Sequence, residues 1–193
     1  MMWILLILLS YCLGSISFSY LLTKLIKNED IRNHGSGNAG ATNTLRVLGK
    51  GPAIAVLLLD SMKGIISVLV PLWLGFSPNI AILCGFAAVI GHNYPVFFGF
   101  KGGKGVATTI GVFAAISFFP SLIAGIIAIL TIWISRFVSL GSIVFLILTP
   151  FFMLYHYSLP FFAIVTGGCI SAVSVWRHRG NIQRLLKGTE RKI

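Results

Sequence analysis

Two glycine-rich segments hold the residues whose types and spacing suit the binding of phosphate. The first reads Gly-Ser-Gly-Asn-Ala-Gly-Ala-Thr-Asn over 35–43 and is followed closely by Arg46. Its glycines free the backbone to turn several N–H groups toward one point, which is how a loop cradles a phosphate. A helix that begins near Thr42 would aim its N-terminus at the same anion. The pattern predicts an anion site, and a flexible linker is the alternative.

The same glycines also match the fingerprint of dinucleotide-binding proteins. Gly35, Gly37 and Gly40 have the required spacing, and Asp60 follows at a suitable distance. That fingerprint requires a preceding strand within a βαβ unit. Here an apolar run typical of a membrane helix precedes the glycines, and a second such run contains Asp60. A dinucleotide site is therefore excluded.

The second segment reads Lys-Gly-Gly-Lys-Gly over 101–105 and follows an apolar run that contains His92. It predicts a second anion cradle, in which Lys104 acts as a point charge on phosphate. Polar side chains inside a membrane span are costly and usually face a cavity. For His92, a structural hydrogen bond and a contact with substrate both remain open, and the first is favoured.

Two further polar segments follow later in the chain. Ser139 and Ser142 lie where a helix is expected to begin, so each is interpreted as a helix cap. In the tail, over 177–193, Ile182 and Leu185 share a face with Leu186, which predicts a short amphipathic helix at the membrane surface. The alternative for this tail is that His178, Asn181 and Arg184 fold back over the glycine segments. Glu190 is expected to pair with a nearby cation.

The elements that must position these residues are membrane helices. Hydrophobic residues make up 56% of the 193 residues and charged residues 10%, whereas soluble domains carry about 25% charged residues. Only helices or closed barrels satisfy their backbone in lipid. The sequence therefore predicts one all-α polytopic domain over 1–193, with about seven spans near 2–23, 52–74, 79–98, 105–119, 121–135, 140–155 and 160–176.

The first, second, fourth and fifth of these runs have features that need separate interpretation. The first run lacks a basic leader and a cleavage site, so we expect a retained span. The fourth and fifth runs hold about 15 residues each, near the lower limit of about 17 for a span. They meet at Phe119-Pro120-Ser121 and are either two spans or one bent hairpin. Asp60 and Lys63, at i and i+3 in the second run, are expected to pair and brace the bundle.

The charges predict how the spans are oriented. Fifteen Lys and Arg residues against four acidic residues give a net charge of +11. If seven spans alternate, every cation except Lys63 lies on one side of the membrane. The positive-inside rule then places the N-terminus outside and the C-terminus and glycine segments in the cytoplasm. The opposite loops, at 75–78, 120 and 156–160, carry no cation.

Other classes of site find no support in the sequence. The three cysteines lie in apolar runs without metal-ligand spacing or a disulfide framework. Carboxylates are scarce, so no metal site and no cofactor are predicted. In a membrane protein the excess of Lys and Arg signals orientation first, which makes a nucleic-acid partner a poor interpretation.

Taken in order along the chain, these motifs resemble the PlsY family of bacterial membrane acyltransferases. The resemblance covers the whole chain and rests on 35–43, on Gly91-His92 with Pro95, on 100–108, on Val138-Ser139-Leu140, and on Arg177-His178 with 181–185. It implies seven spans with cytoplasmic motifs in a bacterial plasma membrane. It also implies acyl-phosphate as donor, glycerol 3-phosphate as acceptor, and 1-acylglycerol 3-phosphate and phosphate as products, the first acylation of phospholipid synthesis.

The resemblance also implies roles for individual residues. The catalytic set would be Ser36, Arg46, Lys104, His178 and Asn181. The substrate-binding set would be Gly37, Asn38, Ala39, Gly40, Thr42, Asn43, His92, Lys101, Gly102, Gly103, Ser139, Ser142 and Arg184. The acyl chain would lie among the apolar spans, so membrane lipid and the two small molecules are the expected partners.

The expected mechanism needs no enzyme nucleophile. No His is followed by Asp five positions later, so the His-x4-Asp dyad of other glycerolipid acyltransferases is missing. Since an acyl-phosphate is already activated, direct attack by the glycerol hydroxyl suffices, with a phosphate oxygen taking the proton. The main alternative is a transporter of a small phosphorylated anion, and a lipid-binding scaffold is a third option. A transporter should show broken helices at the midplane and paired halves.

Overall fold

The computed structural model describes residues 1–155 and 159–193, and within these ranges the regular structure is helical, with no strand. The predicted all-α class is confirmed. The α-helices are α1 (Met2–Gly14), α2 (Phe18–Lys27), α3 (Ala41–Leu48), α4 (Lys50–Trp73), α5 (Pro78–Asn93), α6 (Val106–Ile116), α7 (Phe118–Ser135), α8 (Val138–Met153), α9 (Phe161–Arg177) and α10 (Arg179–Leu186). Short 3₁₀ turns occupy Ile31–Asn33 and Val96–Phe98.

Each of the seven predicted runs holds an α-helix, but the helices differ in length. Four segments in the described residues are long and apolar enough to cross a membrane, namely Met2–Lys27, Lys50–Trp73, Pro78–Phe98 and Phe118–Ser135. A fifth is possible if α9 and α10, which bend by 58° at His178, count as one. At about 1.5 Å per residue, the 11 residues of α6 fall well short of a core about 30 Å thick. The number of spans stays a prediction.

The boundary between the fourth and fifth runs lies earlier than predicted. Helix α6 ends at Ile116 and α7 begins at Phe118, so Ser117 separates them, not Pro120. Pro120 lies in the first turn of α7, where a missing N–H costs nothing because those N–H groups have no partner within a helix. A proline in an apolar run therefore marked the first turn of a helix and not the preceding junction.

Small residues let the helices of the bundle approach closely. An added Cβ at Gly64 of α4 would collide with the Thr108 carbonyl of α6, and one at Gly111 of α6 with the Ser61 carbonyl of α4. The same holds between α1 and α5, where Gly14 faces Ala88. Such contacts between backbones are typical of packing in lipid, where burial of apolar surface alone does not drive association. They fix α5 and α6, which flank the second glycine segment.

Apolar side chains divide between a core and an outer surface. Fully buried residues such as Phe113, Leu146 and Met153 join α6, α8 and their neighbours. The outer face of α7 leaves Trp133 and Ile134 about three-quarters exposed, at 76% and 75%. An exposed apolar surface of this kind suits contact with lipid. Cys84 is buried, whereas Cys12 and Cys169 are exposed, and within the described residues all three are free.

The segments that carry the cations meet at one end of the bundle. Arg32 Nη1, after α2, donates to the Phe98 carbonyl at 2.7 Å, and Lys104, before α6, bonds to Asn181 of α10. Arg136, after α7, donates to the backbone of Ile193 at 3.2 Å. This convergence agrees with the predicted grouping of the charges. Of the opposite loops, the first three residues of 156–160 lie outside the described residues.

Candidate active site

The first glycine segment is held by a side chain of the helix that follows it. Gly35 and Gly37 have φ values of +62° and +70°, a region that favours glycine. Asn43, which is buried, accepts from the Ser36 N–H at 2.8 Å and donates to the carbonyls of Ile31 and His34 at 3.2 and 2.9 Å. Asn43, which was predicted to bind substrate, thus uses its side-chain amide to hold the loop.

Two of the three glycines in this loop do not offer a free N–H group. Gly37 and Gly40 donate to the carbonyls of His34 and Asn38, so their N–H groups are already paired. Within the described chain, the N–H groups of Asn38 and Ala39, and those of Ala41 and Thr42 in the first turn of α3, have no protein acceptor. Helix α3 begins at Ala41, close to the expected start. These four N–H groups, with the exposed hydroxyl of Ser36, form the cradle that an anion would meet.

The second glycine segment is held by residues from distant helices. Arg177 Nε donates to the Gly103 carbonyl at 3.0 Å and its Nη2 to the Gly102 carbonyl at 3.2 Å. The guanidinium also stacks 5.1 Å from the ring centre of Tyr94. The Gly103 N–H donates to the His92 carbonyl at 3.1 Å. Both faces of this loop are therefore fixed by tertiary contacts.

The two glycine segments touch at Gly103. A Cβ added there would lie 2.7 Å from the carbonyl oxygen of Ala39 and would collide with Nε2 of His92. Only glycine leaves room for this contact. The two segments predicted to bind anions are thus parts of one site, to which α5 contributes His92. Lys101 is exposed beside them.

A cluster of polar side chains adjoins the second segment. Lys104 Nζ bonds to Oδ1 of Asn181, whose Nδ2 donates to Oε1 of Glu190 at 2.7 Å. Ser139 Oγ donates to the same carboxylate oxygen at 3.0 Å, and Arg184 Nε donates to Oε2 at 2.7 Å. The tail therefore folds back onto the site, as one of the two alternatives proposed, and Glu190 pairs with Arg184 as expected.

Burial and neighbouring charge change the acidity of this cluster. Burial lowers the pKa of Lys104 to about 8; the Glu190 carboxylate opposes that change, while Arg184, Arg46 and Arg177 add to it. The cations therefore face one small region. Burial opposes ionisation of Glu190, yet hydrogen bonds from Asn181, Arg184 and Ser139 hold its pKa below the usual value.

His178 lies at the bend between α9 and α10 and is neutral at pH 7. Burial and the nearby Lys104 charge lower its pKa to about 4. Its Nδ1 lies 2.8 Å from the Ser174 carbonyl, and a carbonyl only accepts, so Nδ1 carries the proton. Nε2 of His178 is then a hydrogen-bond acceptor.

The remaining predicted residues occupy varied positions. Neither Ser139 nor Ser142 caps α8: Ser139 contacts Glu190, and Ser142 donates to the Val138 carbonyl at 2.8 Å. A hydroxyl at the start of a helix is also within reach of a folded-back tail or of the carbonyl four residues earlier, and the sequence does not distinguish these partners. Arg46 is exposed on α3, and Arg184 is exposed on α10.

An open cavity of about 850 Å³ lies beside the glycine segments. Its wall combines aromatic rings with charged groups: Tyr20, Asp30, Arg32, Asn33, Gly37, Phe97, Phe98, Gly99, Phe100, Lys101, Gly102 and Arg177. Arg32 Nη2 forms a salt bridge with Oδ2 of Asp30 at 2.7 Å, and its Nη1 donates a hydrogen bond to the Phe98 carbonyl. Among the described residues, no group of three His, Cys, Asp or Glu side chains could hold a metal ion.

The residues that hold the second segment could not be predicted from the sequence. Arg177 belongs to the motif of the tail, and no role was predicted for it. Its position in the last turn of α9 is one where a cation is favoured by the helix dipole alone, which conceals its contact with the loop. Asp30 and Arg32 were likewise counted only as charges.

Comparison with known proteins identifies the family. A family model described as glycerol-3-phosphate acyltransferase matches residues 4–188. Glycerol-3-phosphate acyltransferases of Shouchella clausii and Halalkalibacterium halodurans are both 53% identical, over 97% and 98% of this chain and 94% of each relative.

Solved structures give the same result. Two crystal structures of PlsY, an integral membrane glycerol 3-phosphate acyltransferase, match 100% of this chain and 96% of theirs. The glycerol 3-phosphate form has a TM-score of 0.93 at 41% identity, and the lysophosphatidic acid form has a TM-score of 0.90 at 39% identity. This chain is therefore an integral membrane member of the glycerol-3-phosphate acyltransferase family that includes PlsY.

Proposed function

We propose that this protein transfers an acyl group from acyl-phosphate to glycerol 3-phosphate, giving 1-acylglycerol 3-phosphate and phosphate. The observation that carries the proposal is the meeting of the two glycine segments at Gly103 and Ala39, beside a cluster of cations. Two phosphate groups must lie together during this reaction, and such an arrangement offsets their charge. The glycerol 3-phosphate and lysophosphatidic acid forms of PlsY give the same acceptor and the same class of product.

Each part of the site has a role in this proposal. The phosphate of the donor is bound by the Ser36 hydroxyl and by the free N–H groups of Asn38, Ala39, Ala41 and Thr42. Lys104 and Arg46 attract the phosphate of glycerol 3-phosphate, while Asn181 and Ser142 orient the glycerol. Holding both substrates in place supplies proximity, and the acyl chain follows the apolar helices into the lipid.

The chemical step is direct. The 1-hydroxyl oxygen of glycerol 3-phosphate forms the new bond to the acyl carbon, the bond from that carbon to the phosphate oxygen breaks, and the departing phosphate takes the hydroxyl proton. His178, with a pKa of about 4, is a weak base. A phosphate whose second pKa is about 6 is a stronger one. The phosphate oxygen therefore accepts the proton of the 1-hydroxyl, and Nε2 of His178 accepts from the 2-hydroxyl and so orients the glycerol.

We place this site on the cytoplasmic side of a bacterial plasma membrane. Support comes from the convergence of the cation-bearing segments at one end of the bundle, where positive charge marks the cytoplasmic side. Labelling of single cysteines introduced at Ser36 and at Phe76, by an impermeant maleimide in right-side-out vesicles, tests this placement. A Ser36→Cys variant that labels from outside would reverse it.

The purified protein with acyl-phosphate and glycerol 3-phosphate tests the activity. We expect release of phosphate together with 1-acylglycerol 3-phosphate, and no product when acyl-CoA or acylated carrier protein replaces acyl-phosphate. Product from either of those donors alone would overturn the donor assignment. Counterflow of labelled glycerol 3-phosphate in proteoliposomes without donor would favour the transporter instead.

A further inference from the structure

Three ionisable side chains form a buried cluster beneath the glycine segments. Asp60 and Lys63 of α4 are each 1% exposed, and Lys63 Nζ lies 2.8 Å from Oδ1 of Asp60. His92 of α5 is 5% exposed, with Nδ1 3.0 Å from Lys63 Nζ and 3.6 Å from Oδ1 of Asp60. The proposed chemistry gives Asp60 and Lys63 no role. Ionisable groups at membrane depth are costly and usually serve function.

Three polar atoms surround the Nζ atom of Lys63 within this cluster. An ammonium carries three N–H donors. The partners around Nζ are Oδ1 of Asp60, the Ile16 carbonyl at 2.9 Å, and Nδ1 of His92. Ile16 lies in the break between α1 and α2, where its carbonyl has no helical partner. The carboxylate beside Lys63 favours the ammonium, which forms an ion pair with Asp60 and hydrogen bonds with the Ile16 carbonyl and Nδ1 of His92.

An ammonium on Lys63 determines the tautomer of His92. Because an ammonium only donates, Nδ1 at 3.0 Å from Nζ is the acceptor, which places the imidazole proton on Nε2. Nε2 lies against Gly103, where an added Cβ would meet both it and the Ala39 carbonyl oxygen. Among residues 1–155 and 159–193, Nε2 has no hydrogen-bond partner. A neutral N–H donor therefore faces the junction of the two glycine segments.

We propose that His92 donates a hydrogen bond from Nε2 to an oxygen of the bound acyl-phosphate, and that Asp60 and Lys63 are positioning residues that hold it in this tautomer. The proposal rests on the proposed function. We assign the contact to acyl-phosphate, and not to glycerol 3-phosphate, because Ala39 belongs to the loop proposed to bind acyl-phosphate. A fixed N–H donor aimed at an oxygen that gains charge is worth more in a dry site than in water.

A bracing role alone explains less of this geometry. A buried ion pair holds helices together no better than apolar residues of similar volume. Bracing also requires nothing of Nε2, the atom that reaches the substrate-binding loops. His92 and His178 are instead complementary: Nε2 of the first donates, and Nε2 of the second accepts.

Two substitutions at His92 separate the roles of its nitrogens. The amide of His92→Asn reaches the position of Nδ1 and retains the contact with Lys63, whereas that of His92→Gln reaches the position of Nε2 and retains a donor. We expect kcat with acyl-phosphate to fall roughly a hundredfold in His92→Asn and clearly less in His92→Gln, with the KM for glycerol 3-phosphate unchanged in both. If His92→Asn equals or exceeds His92→Gln, the donor role is wrong.

A spectroscopic measurement tests the tautomer without any substrate. Selective ¹⁵N-histidine labelling gives distinct shifts for protonated and unprotonated ring nitrogens, and loss of one signal set in His92→Gln assigns His92 among the four histidines. We expect the proton on Nε2 in the wild type. The double variant Asp60→Asn with Lys63→Met leaves no unpaired buried charge, and it should allow both tautomers of His92 and lower kcat. A proton on Nδ1 in the wild type would overturn the inference. If the proton is on Nε2 but the protein forms no product from acyl-phosphate, only acyl-phosphate as the acyl donor is wrong.

Discussion

The two glycine segments that form the site are held in different ways. The first is held locally: Asn43, only seven residues from Ser36, bonds its backbone on both sides. The second is held from a distance, by Arg177 and by the carbonyl of His92. The first segment is held mainly by residues close to it in sequence, whereas the second is held by contacts with distant helices of the bundle.

This difference assigns the segments different tasks. A locally held turn keeps its N–H groups in place for the proposed binding of a phosphate. The position of a loop held between α5 and α9 depends on how those two helices pack against each other. Substitutions in the second segment should therefore damage activity more than matched ones in the first.

The largest effect is expected from Gly103→Ala. The new methyl group would collide with Nε2 of His92 and press on the Ala39 carbonyl, so the two segments would separate. We expect product formation to fall by on the order of a hundredfold or more, in a protein that still purifies as a single species. The control is Gly125→Ala on α7, where an added Cβ meets no atom within 4 Å. Equal activity of the two variants would contradict the contact.

Removal of the Lys104 charge is expected to have the next largest effect. Lys104→Met should lower kcat/KM for glycerol 3-phosphate by on the order of a hundredfold, since it removes a cation from the phosphate site. Lys50→Met, at the exposed start of α4, is the control.

The pKa of Lys104 predicts the pH dependence. With a pKa of about 8, the ammonium predominates below that pH and is lost above it, so kcat/KM should fall as pH rises beyond about 8. Lys104→Arg keeps its charge throughout this range and should lose the fall, whatever activity it retains. If kcat/KM of Lys104→Arg still falls above about pH 8, the fall is due to the titration of another group.

The same contrast explains how much the sequence could predict. The all-α class and the start of α3 near Thr42 could be predicted because apolar runs and the glycines that precede a helix are local signals. The junction at Ser117 was missed because Pro120 suits either a loop or a first turn. The contact of Arg177 with the second segment joins residues 74 positions apart, and no local pattern marks it.

Side-chain roles within the site were harder to predict than its location. Asn43 was expected to donate to substrate, and instead it bonds the loop. Gly37 and Gly40 belong to the predicted substrate-binding set, yet their N–H groups are paired, while in the described part of the chain those of Ala41 and Thr42 have no protein acceptor. Composition shows that a turn can bind an anion, but which amides face it depends on φ and ψ at each residue.

Weakening the distant support should have a moderate effect. A lysine in Arg177→Lys cannot bond the carbonyls of Gly102 and Gly103 together or stack on Tyr94 in the same way. We expect kcat/KM to fall roughly tenfold, the cost of about one charged hydrogen bond. Arg179→Lys is the matched control, because that exposed guanidinium also stacks on an aromatic ring, Trp176, and bonds one carbonyl. A similar loss in both variants would mean that charge alone matters.

The smallest effect is expected where the support is local. Asn43→Ala removes the hydrogen bonds to Ser36, Ile31 and His34, but the exposed part of the loop remains open to water, which replaces some of them. We expect a loss of about 1 kcal/mol of stability, seen as a lower Tm, and a fall in kcat/KM of less than about tenfold. Gln183→Ala on α10 is the control, since Gln183 is exposed and its side chain makes no hydrogen bond among the described residues. A loss of activity as large as that of Gly103→Ala would show that the first segment depends on its support as much as the second, because water would then have failed to take the place of the Asn43 amide.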